Sequence, residues 1–158
     1  MGLRKLTRYD YSNFRGPFSI STDNSKLDIP LIQRFLSQDS YWAKDIPIDV
    51  VERMIAGSLC FGVYKGDAQA GFARLVTDKA TFAYLCDVFI LPEYRGQGLS
   101  KFLMRVIMDY FESQQLRRIL LATQDAHGLY AQFGFKPLEE PQRYMAVGKP
   151  DLYTKKQS

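Results

Sequence analysis

The feature that most constrains the fold is an apolar strand-like segment that runs into a glycine turn and then into an amphipathic helix. Residues 87–91 read as the end of the strand, and the turn that follows is Arg95-Gly96-Gln97-Gly98-Leu99-Ser100. The helix is predicted because apolar side chains recur at helical spacing, at Leu99, Phe102, Leu103, Val106, Ile107, Tyr110 and Phe111. A glycine turn at a helix start presents backbone N–H groups beside the positive end of the helix dipole. The sequence therefore predicts an anion site at this helix N-terminus.

The composition is that of one globular domain. The chain has 158 residues, of which 46% are hydrophobic and 14% are aromatic, enough to bury a core. No apolar run approaches the roughly 20 residues that cross a bilayer, and the charged N-terminus lacks the apolar stretch of a secretory signal. We therefore expect one cytoplasmic domain over residues 1–158, with a core at about 17–147 and peripheral segments at 1–16 and 148–158, and no membrane partner.

Charge and cysteine content argue against two further classes of function. The net charge of +4 is modest and the basic residues are dispersed, which does not favour a nucleic-acid-binding protein. Cys60 and Cys86 each lie in a strand-like run, where buried free thiols are expected in a reducing compartment. With one histidine and no clustered cysteine, no metal site is predicted.

The periodicity along the chain predicts the element order β-α-α-β-β-β-α-β-α-β, which is an α/β layered domain. The expected elements are a short strand within 17–27, a helix from Asp28, a helix from Ile46 with Ile48, Val51 and Ile55 on its apolar face and Gly57 at its end, a meander at 59–64, 70–76 and 81–91, the long helix, a strand at 119–123, a short helix within 125–133, and strands near 135–138 and 144–147.

The glycine turn does not match two common phosphate-binding motifs, and a second motif later in the chain indicates which kind of turn it is. A dinucleotide-binding turn needs a third glycine and an opening βαβ unit, and a P-loop needs Gly-Lys-Ser/Thr. About thirty residues after the turn comes Leu129-Tyr130-Ala131-Gln132-Phe133-Gly134-Phe135. In this order and spacing the two motifs resemble those of the GNAT superfamily of acetyl-CoA-dependent N-acetyltransferases, over about residues 17–147. Ser100 departs from the family pattern, in which Gly or Ala is usual.

The resemblance implies a fold and a donor. The fold is a mixed, mostly antiparallel twisted sheet flanked by about four helices, with central strands that splay apart. The donor is acetyl-CoA as co-substrate, with its pyrophosphate on the turn and its pantetheine along the strand that precedes the turn, where backbone N–H groups polarise the acetyl carbonyl. The implied contacts are Val88, Phe89, Ile90, Arg95, Gly96, Gln97, Gly98, Leu99, Ser100 and Tyr130.

The resemblance also implies catalytic roles. Acetyl transfer requires a neutral amine and a group that stabilises the departing thiolate. The family pattern assigns the acid to Tyr130, for which simple packing is the alternative. Asp87 and His127 are candidate bases, although Asp87 equally suits a structural role, His127 suits helix capping or packing, and many family members use water.

The acceptor is the part that the sequence constrains least. Tyr41 and Trp42 lie between the first two helices, where the family binds its acceptor, so they are either an aromatic wall for the substrate or a lid on the core. We expect direct attack by a primary amine, of a small molecule, in a ternary complex. The alternative is a non-catalytic acyl-CoA-binding or protein-interaction module on the same fold, which would not need Tyr130. Exposed terminal strands in such folds often pair, which makes a homodimer possible.

Overall fold

A six-stranded sheet, with strands in chain order, forms the centre of the fold in the computed structural model, which describes residues 11–14 and 16–154. Neighbouring strands are antiparallel except for the last pair, which is parallel. The strands are β1 (Tyr11–Phe14), β2 (Phe18–Ser21), β3 (Leu59–Lys65), β4 (Ala68–Thr77), β5 (Phe82–Ile90) and β6 (Arg118–Leu121). The predicted mixed, mostly antiparallel α/β fold is confirmed.

Four α-helices flank the sheet in the described part of the chain. They are α1 (Ile29–Arg34), α2 (Ile48–Ala56), α3 (Leu99–Ser113) and α4 (His127–Ala131). Asp28 caps α1, because its carboxylate accepts a hydrogen bond from the Leu31 N–H at 3.1 Å. Gly57 follows α2 directly, as predicted. No helix among the described residues is long and apolar enough to span a membrane.

The sheet is covered by helices on both faces. On one face α3 packs its apolar side, including Leu103 and Ile107, into the larger core cluster. On the other face α1 and α2 bury a second cluster, in which Ile32 and Val51 are fully enclosed. Ile48 was predicted to share the buried face of α2, and this was wrong. Its side chain is 43% exposed, because the first residue of the helix extends beyond the edge of the cluster.

The C-terminal part of the chain differs from the expectation, whereas the N-terminal part adds a strand. Strand β1 lies within the segment 1–16 and pairs with β2 at the edge of the sheet. Residues 1–10, 15 and 155–158 lie outside the described residues. The strands predicted near 135–138 and 144–147 are absent, and residues 135–140 and 144–149 have irregular backbone. Their sequences suit strands, but in the described part of the chain neither has a neighbouring strand to pair with.

We expect the substitution Gly71→Ala to lower the free energy of unfolding by about 1–3 kcal/mol. A β-carbon at Gly71 would lie 2.8 Å from the Phe89 carbonyl oxygen and 2.6 Å from Cδ1 of Ile90, so β4 and β5 would have to separate. Urea unfolding measures the loss. Gly128→Ala is the matched control, because nothing lies within 4 Å of the position that its new β-carbon would take and alanine favours the helix. Equal stability of the two variants would contradict the close packing of β4 against β5.

Candidate active site

Strand β6 pairs with only the first part of the parallel strand β5. Residues Phe82–Leu85 of β5 pair with Arg118–Leu121, and among the described residues no strand continues along that side of β5 beyond Leu85. The last five residues of β5, from Cys86 to Ile90, therefore present a strand edge without a neighbouring strand. This is the opening between central strands that the sequence predicted.

A β-bulge at Asp87 marks the point where the two strands part. Cys86 lies opposite Arg74 and Phe89 lies opposite Phe72, so β5 contains one residue more than β4 between these pairs. Asp87 takes a left-handed backbone conformation, with φ of 55°. An extra residue bends the strand and changes the direction of the groups next to it. The bulge thus gives the edge at Val88 and Phe89 a geometry that a regular strand would not have.

Both oxygens of the buried Asp87 carboxylate are engaged. The Trp42 indole Nε1–H donates to Oδ1 at 2.8 Å, and the Arg74 Nε–H donates to Oδ2 at 2.8 Å. Arg74 also donates from Nη1 to the Ser58 hydroxyl at 3.0 Å. Burial by itself lowers the pKa of Arg74, but the Asp87 carboxylate, together with the neighbouring Cys86 and Cys60, raises that pKa above its ordinary value. These contacts favour the structural interpretation of Asp87 over the general base.

A cleft of about 360 Å³ opens where β5 and β6 diverge. The Tyr41 and Trp42 rings lie on one side of it, edge to face with centroids 5.0 Å apart. The Tyr41 hydroxyl accepts a hydrogen bond from the Gln124 N–H at 3.0 Å, which ties this wall to the loop after β6. Both residues that were predicted to contact the acceptor therefore line the cleft.

Tyr130 lines the same cleft from α4. Burial raises its pKa to about 12, with smaller contributions from Tyr41 and Asp125. Its hydroxyl therefore stays protonated at neutral pH. His127 lies one turn earlier, but it is absent from the described residues that line the cleft and instead lines a neighbouring groove together with Tyr130.

The glycine turn follows β5 after a short 3-10 turn at Pro92–Tyr94. Gly96 and Gly98 have φ of 80° and 78°, a conformation that glycine adopts without strain, and Gly98 is the N-cap of α3. The Arg95 Nε–H donates to the Ile90 carbonyl at 2.9 Å, so this side chain ties the turn to the end of the strand. Leu99 is buried in the core, whereas Ser100 is half-buried in the first turn of α3. The predicted anion site thus lies at the N-terminus of a 15-residue helix.

The side chains of β5 at this edge belong mostly to the core. Phe89 stacks on Phe35 with ring centroids 3.9 Å apart, and Ile90 packs in the cluster under α3. Val88 is partly buried and also lines the cleft. For Phe89 and Ile90 only the backbone remains available to a ligand.

Sequence reasoning missed two residues of the site. Arg74 and Ser58 complete the network around Asp87, although neither was singled out. A signal was present, because Arg74 is the one charged residue in the apolar run 70–76. A charge within such a strand usually has a buried partner.

The comparisons with known proteins agree with this geometry. The family model described as Acetyltransferase (GNAT) family matches residues 29–135, which runs from α1 through the glycine turn to the end of the Tyr130 motif. The chain belongs to the GNAT family of acetyltransferases. It is accordingly an acyltransferase, as the sequence predicted.

Relatives support the same assignment. A candidate acetyltransferase of Gibberella zeae is 32% identical over 147 residues, covering 80% of this chain and 83% of the relative. The crystal structure of a candidate GNAT acetyltransferase from Xanthomonas campestris pv. campestris is 56% identical, covers 87% of this chain and 96% of its own, and has a TM-score of 0.84. A GNAT acetyltransferase from Elizabethkingia anophelis with acetyl-CoA bound shares the fold, with 11% identity, coverage of 85% and 90%, and a TM-score of 0.60.

We expect both cysteines to resist alkylation in the folded protein. Burial raises the pKa of Cys60 and of Cys86 to about 12, so at pH 8 only about one thiol in ten thousand is the reactive thiolate. In the unfolded chain a cysteine of pKa about 8.5 is about one quarter thiolate at pH 8. Iodoacetamide followed by intact-mass measurement should show no adduct on the native protein and two adducts in urea. Rapid native modification of Cys86, which lines the cleft, would contradict the raised pKa.

Proposed function

We propose that this acyltransferase moves the acetyl group of acetyl-CoA to a primary amine of a small molecule, by direct attack within a ternary complex. One observation carries the proposal: the free edge of β5 runs from the cleft beside Tyr130 to Ile90, and only the short segment 91–94 separates it from the glycine turn at α3. An extended thioester-bearing chain that ends in phosphates has the shape and charge for this path. The cleft at one end of this path would hold the thioester, and the positive end of the α3 dipole at the other end would hold the anion.

The donor would be held mainly by backbone groups. The amides from Arg95 to Ser100 would bind the pyrophosphate, because positive-φ glycines and the α3 dipole favour an anion there. The edge from Cys86 to Ile90 would pair with pantetheine as an added strand would. The proposed donor contacts are the ten residues named from the family resemblance. Among them Leu99, Phe89 and Ile90 contribute through backbone, since their side chains are buried.

Two groups at the cleft would stabilise developing negative charge. Backbone N–H groups at the bulge, near Val88 and Phe89, would donate to the acetyl oxygen as the amine nitrogen bonds to the carbonyl carbon. The Tyr130 hydroxyl would face the sulfur as the carbon–sulfur bond breaks. The tyrosine pKa of about 12 lies above the roughly 8.5 of a thiol, so Tyr130 acts chiefly as a hydrogen-bond donor to the thiolate. The attacking nitrogen releases one proton as the amide forms, and the departing thiolate takes up one proton to leave as the free thiol of CoA.

Neither of the two candidate bases is needed to take the proton of the amine in this proposal. The Asp87 carboxylate already accepts from Trp42 and Arg74, and His127 lines the neighbouring groove. We therefore propose that the amine loses its proton to water before it attacks. About one lysine-like amine in a thousand or fewer is neutral at pH 7, so the rate should rise with pH until the amine is deprotonated.

The cleft suits a small cationic acceptor. Its volume of about 360 Å³ is at the lower end of small-molecule sites. The Tyr41 and Trp42 rings offer faces to a cation, and Asp125 also lines the cleft. Asp39, a second acidic residue near Tyr41 in the sequence, is exposed and does not line the cleft. Size and charge together support an amine of modest length over a folded protein surface.

We expect acetyl-CoA to be consumed with at least one member of a panel of small primary amines. Tyr130→Phe should lower kcat by about 100-fold, because a hydrogen-bond donor to the departing sulfur is lost. The dissociation constant for acetyl-CoA should change less than threefold, as measured by calorimetry. Wild-type kcat should show no alkaline fall below pH 10, because Tyr130 ionises only near pH 12.

Two results would count against this function. Donor binding without turnover of any amine, with Tyr130→Phe indistinguishable from wild type, would favour a non-catalytic acyl-CoA-binding module. A Tyr130→Phe variant that loses acetyl-CoA binding but keeps kcat would show that Tyr130 binds acetyl-CoA and does not act on the departing sulfur.

We expect Gly98→Asp to abolish acetyl-CoA binding in calorimetry, because a carboxylate would lie against the proposed phosphates. Gly98→Asn is the matched control, since asparagine has the same size, carries no charge and tolerates the left-handed conformation that Gly98 adopts. The asparagine variant should bind within about tenfold of wild type. Equal affinity of the two variants for acetyl-CoA would show that the pyrophosphate does not bind at this turn.

A further inference from the structure

The rings of Tyr41 and Trp42, here called the aromatic wall, are held more by polar contacts than by packing. Tyr41 is 50% exposed and Trp42 is 43% exposed, so neither ring is enclosed by the core. Ser40 fixes the start of this loop, because its hydroxyl donates to the Leu36 carbonyl at 2.6 Å. The direction of the Trp42 ring therefore depends chiefly on the hydrogen bond from its Nε1–H to Asp87.

Arg74 fixes the carboxylate to which Trp42 is bound. Its Nε–H donates to Oδ2 of Asp87 at 2.8 Å, and the two side chains are only 17% and 6% exposed. A second donor of the same guanidinium, Nη1, is bound to the Ser58 hydroxyl at 3.0 Å. Charge-assisted hydrogen bonds are short and strong, so they restrict both partners. The chain of contacts thus runs from Ser58, just before β3, through Arg74 and Asp87 to Trp42.

The geometry of the ion pair leaves one carboxylate oxygen for Trp42. An arginine and a carboxylate frequently form two parallel hydrogen bonds, which occupy both oxygens. Here Arg74 uses one donor on Oδ2 and directs another to Ser58, while the indole binds Oδ1. An ion pair needed only for stability could occupy both oxygens itself. The single-donor arrangement therefore favours a role in orienting the ring.

Arg74 lies outside the cleft that it influences. The described residues that line the cleft include Trp42 and Asp87 but not Arg74, which reaches the cleft only through the carboxylate. The proposed donor contacts, by contrast, are mainly backbone groups of β5 and of the glycine turn. A change at Arg74 would thus act on the acceptor side of the site and leave the donor side intact.

We infer that Arg74 is a positioning residue for the acceptor, which acts through Asp87 by holding the Trp42 ring against the cleft. An amine that packs on this ring would be oriented toward the acetyl carbon. Val88, whose N–H is proposed to polarise the acetyl oxygen, directly follows Asp87. The same residue therefore relates the ring to the reacting carbonyl. This inference rests on the proposed use of the cleft by an amine.

Steady-state kinetics with a panel of small primary amines that includes butylamine, ethanolamine and phenethylamine tests the inference. With the panel amine that the wild type uses best, Arg74→Gln should raise the KM for the amine by about tenfold and lower kcat much less. The dissociation constant for acetyl-CoA should change by less than about twofold in calorimetry, because the donor contacts are separate. A loss of general stability would not divide the two substrates in this way.

A double-mutant cycle shows whether Arg74 acts through the ring. Trp42→Phe keeps an aromatic ring but lacks the N–H donor, and it should raise the KM for the amine by itself. Adding Arg74→Gln should raise this KM by less than about a further twofold, because the contact that Arg74 controls is already lost. Effects that multiply would mean that Arg74 acts independently of Trp42, and they would overturn the inference.

The indole itself provides a direct signal. The chain has one tryptophan, so a nitrogen–proton correlation spectrum contains one indole N–H signal. This signal should move upfield in Arg74→Gln, because a weaker hydrogen bond shields the proton, and an unmoved signal would overturn the inference. Where Arg74→Gln does not fold, Asp87→Asn takes its place, since asparagine tolerates the left-handed backbone of Asp87.

Arg53→Gln is the matched control. It removes an exposed ion pair with Asp49, whose nitrogen and oxygen atoms are 3.7 Å apart on α2, and should change neither the indole signal nor the KM for the amine. A wild type that acetylates no panel amine would contradict the proposed function and this inference together. Turnover by the wild type, with the same KM for the amine in Arg74→Gln and Trp42→Phe, would overturn this inference alone.

Discussion

The cleft depends on one buried carboxylate. Asp87 accepts one hydrogen bond from Arg74 on the neighbouring strand and one from Trp42 on the loop above the cleft. A buried charge is tolerated when it is paired and hydrogen-bonded, and removing one partner is costly. The same residue forms the bulge at which β5 leaves β6. The ion pair therefore links the opening of the sheet to the position of the aromatic wall.

This arrangement lets strand β5 serve two purposes. Its side chains pack on both faces of the sheet, with Leu85 and Ile90 in the cluster under α3 and Phe89 in the cluster under α1 and α2. Its backbone edge beyond Leu85 has no neighbouring strand in the described sheet, so it is available for a ligand. Binding through backbone groups leaves the side chains free to pack, which explains why apolar residues occupy most of the proposed donor site.

The parts that sequence predicted well are those that depend on local rules. The glycine turn, the helix that begins at Leu99, the meander and the Tyr130 motif follow from periodicity, turn chemistry and motif spacing, and the structure and the family match confirm their order. The burial of Ile48 could not be predicted from the sequence, because the width of the buried face of α2 depends on what packs against it. The choice between a base and a structural role for Asp87 stayed open in the sequence, since the partners of its carboxylate are 13 and 45 residues away in the chain.

Strand edges and buried charges separate the two levels most clearly. By itself the sequence determined that 144–147 is apolar and suited to a strand, that the helix after Gly98 is amphipathic, and that the chain carries the two motifs of its family. Only the tertiary structure decided that β5 has no neighbour on the β6 side after Leu85 in the described sheet, that Arg74 meets Asp87, and that 144–147 is irregular. The reason is physical. Helices and turns satisfy their hydrogen bonds among near neighbours, whereas a strand edge or a buried charge is satisfied by groups that only the folded chain brings together.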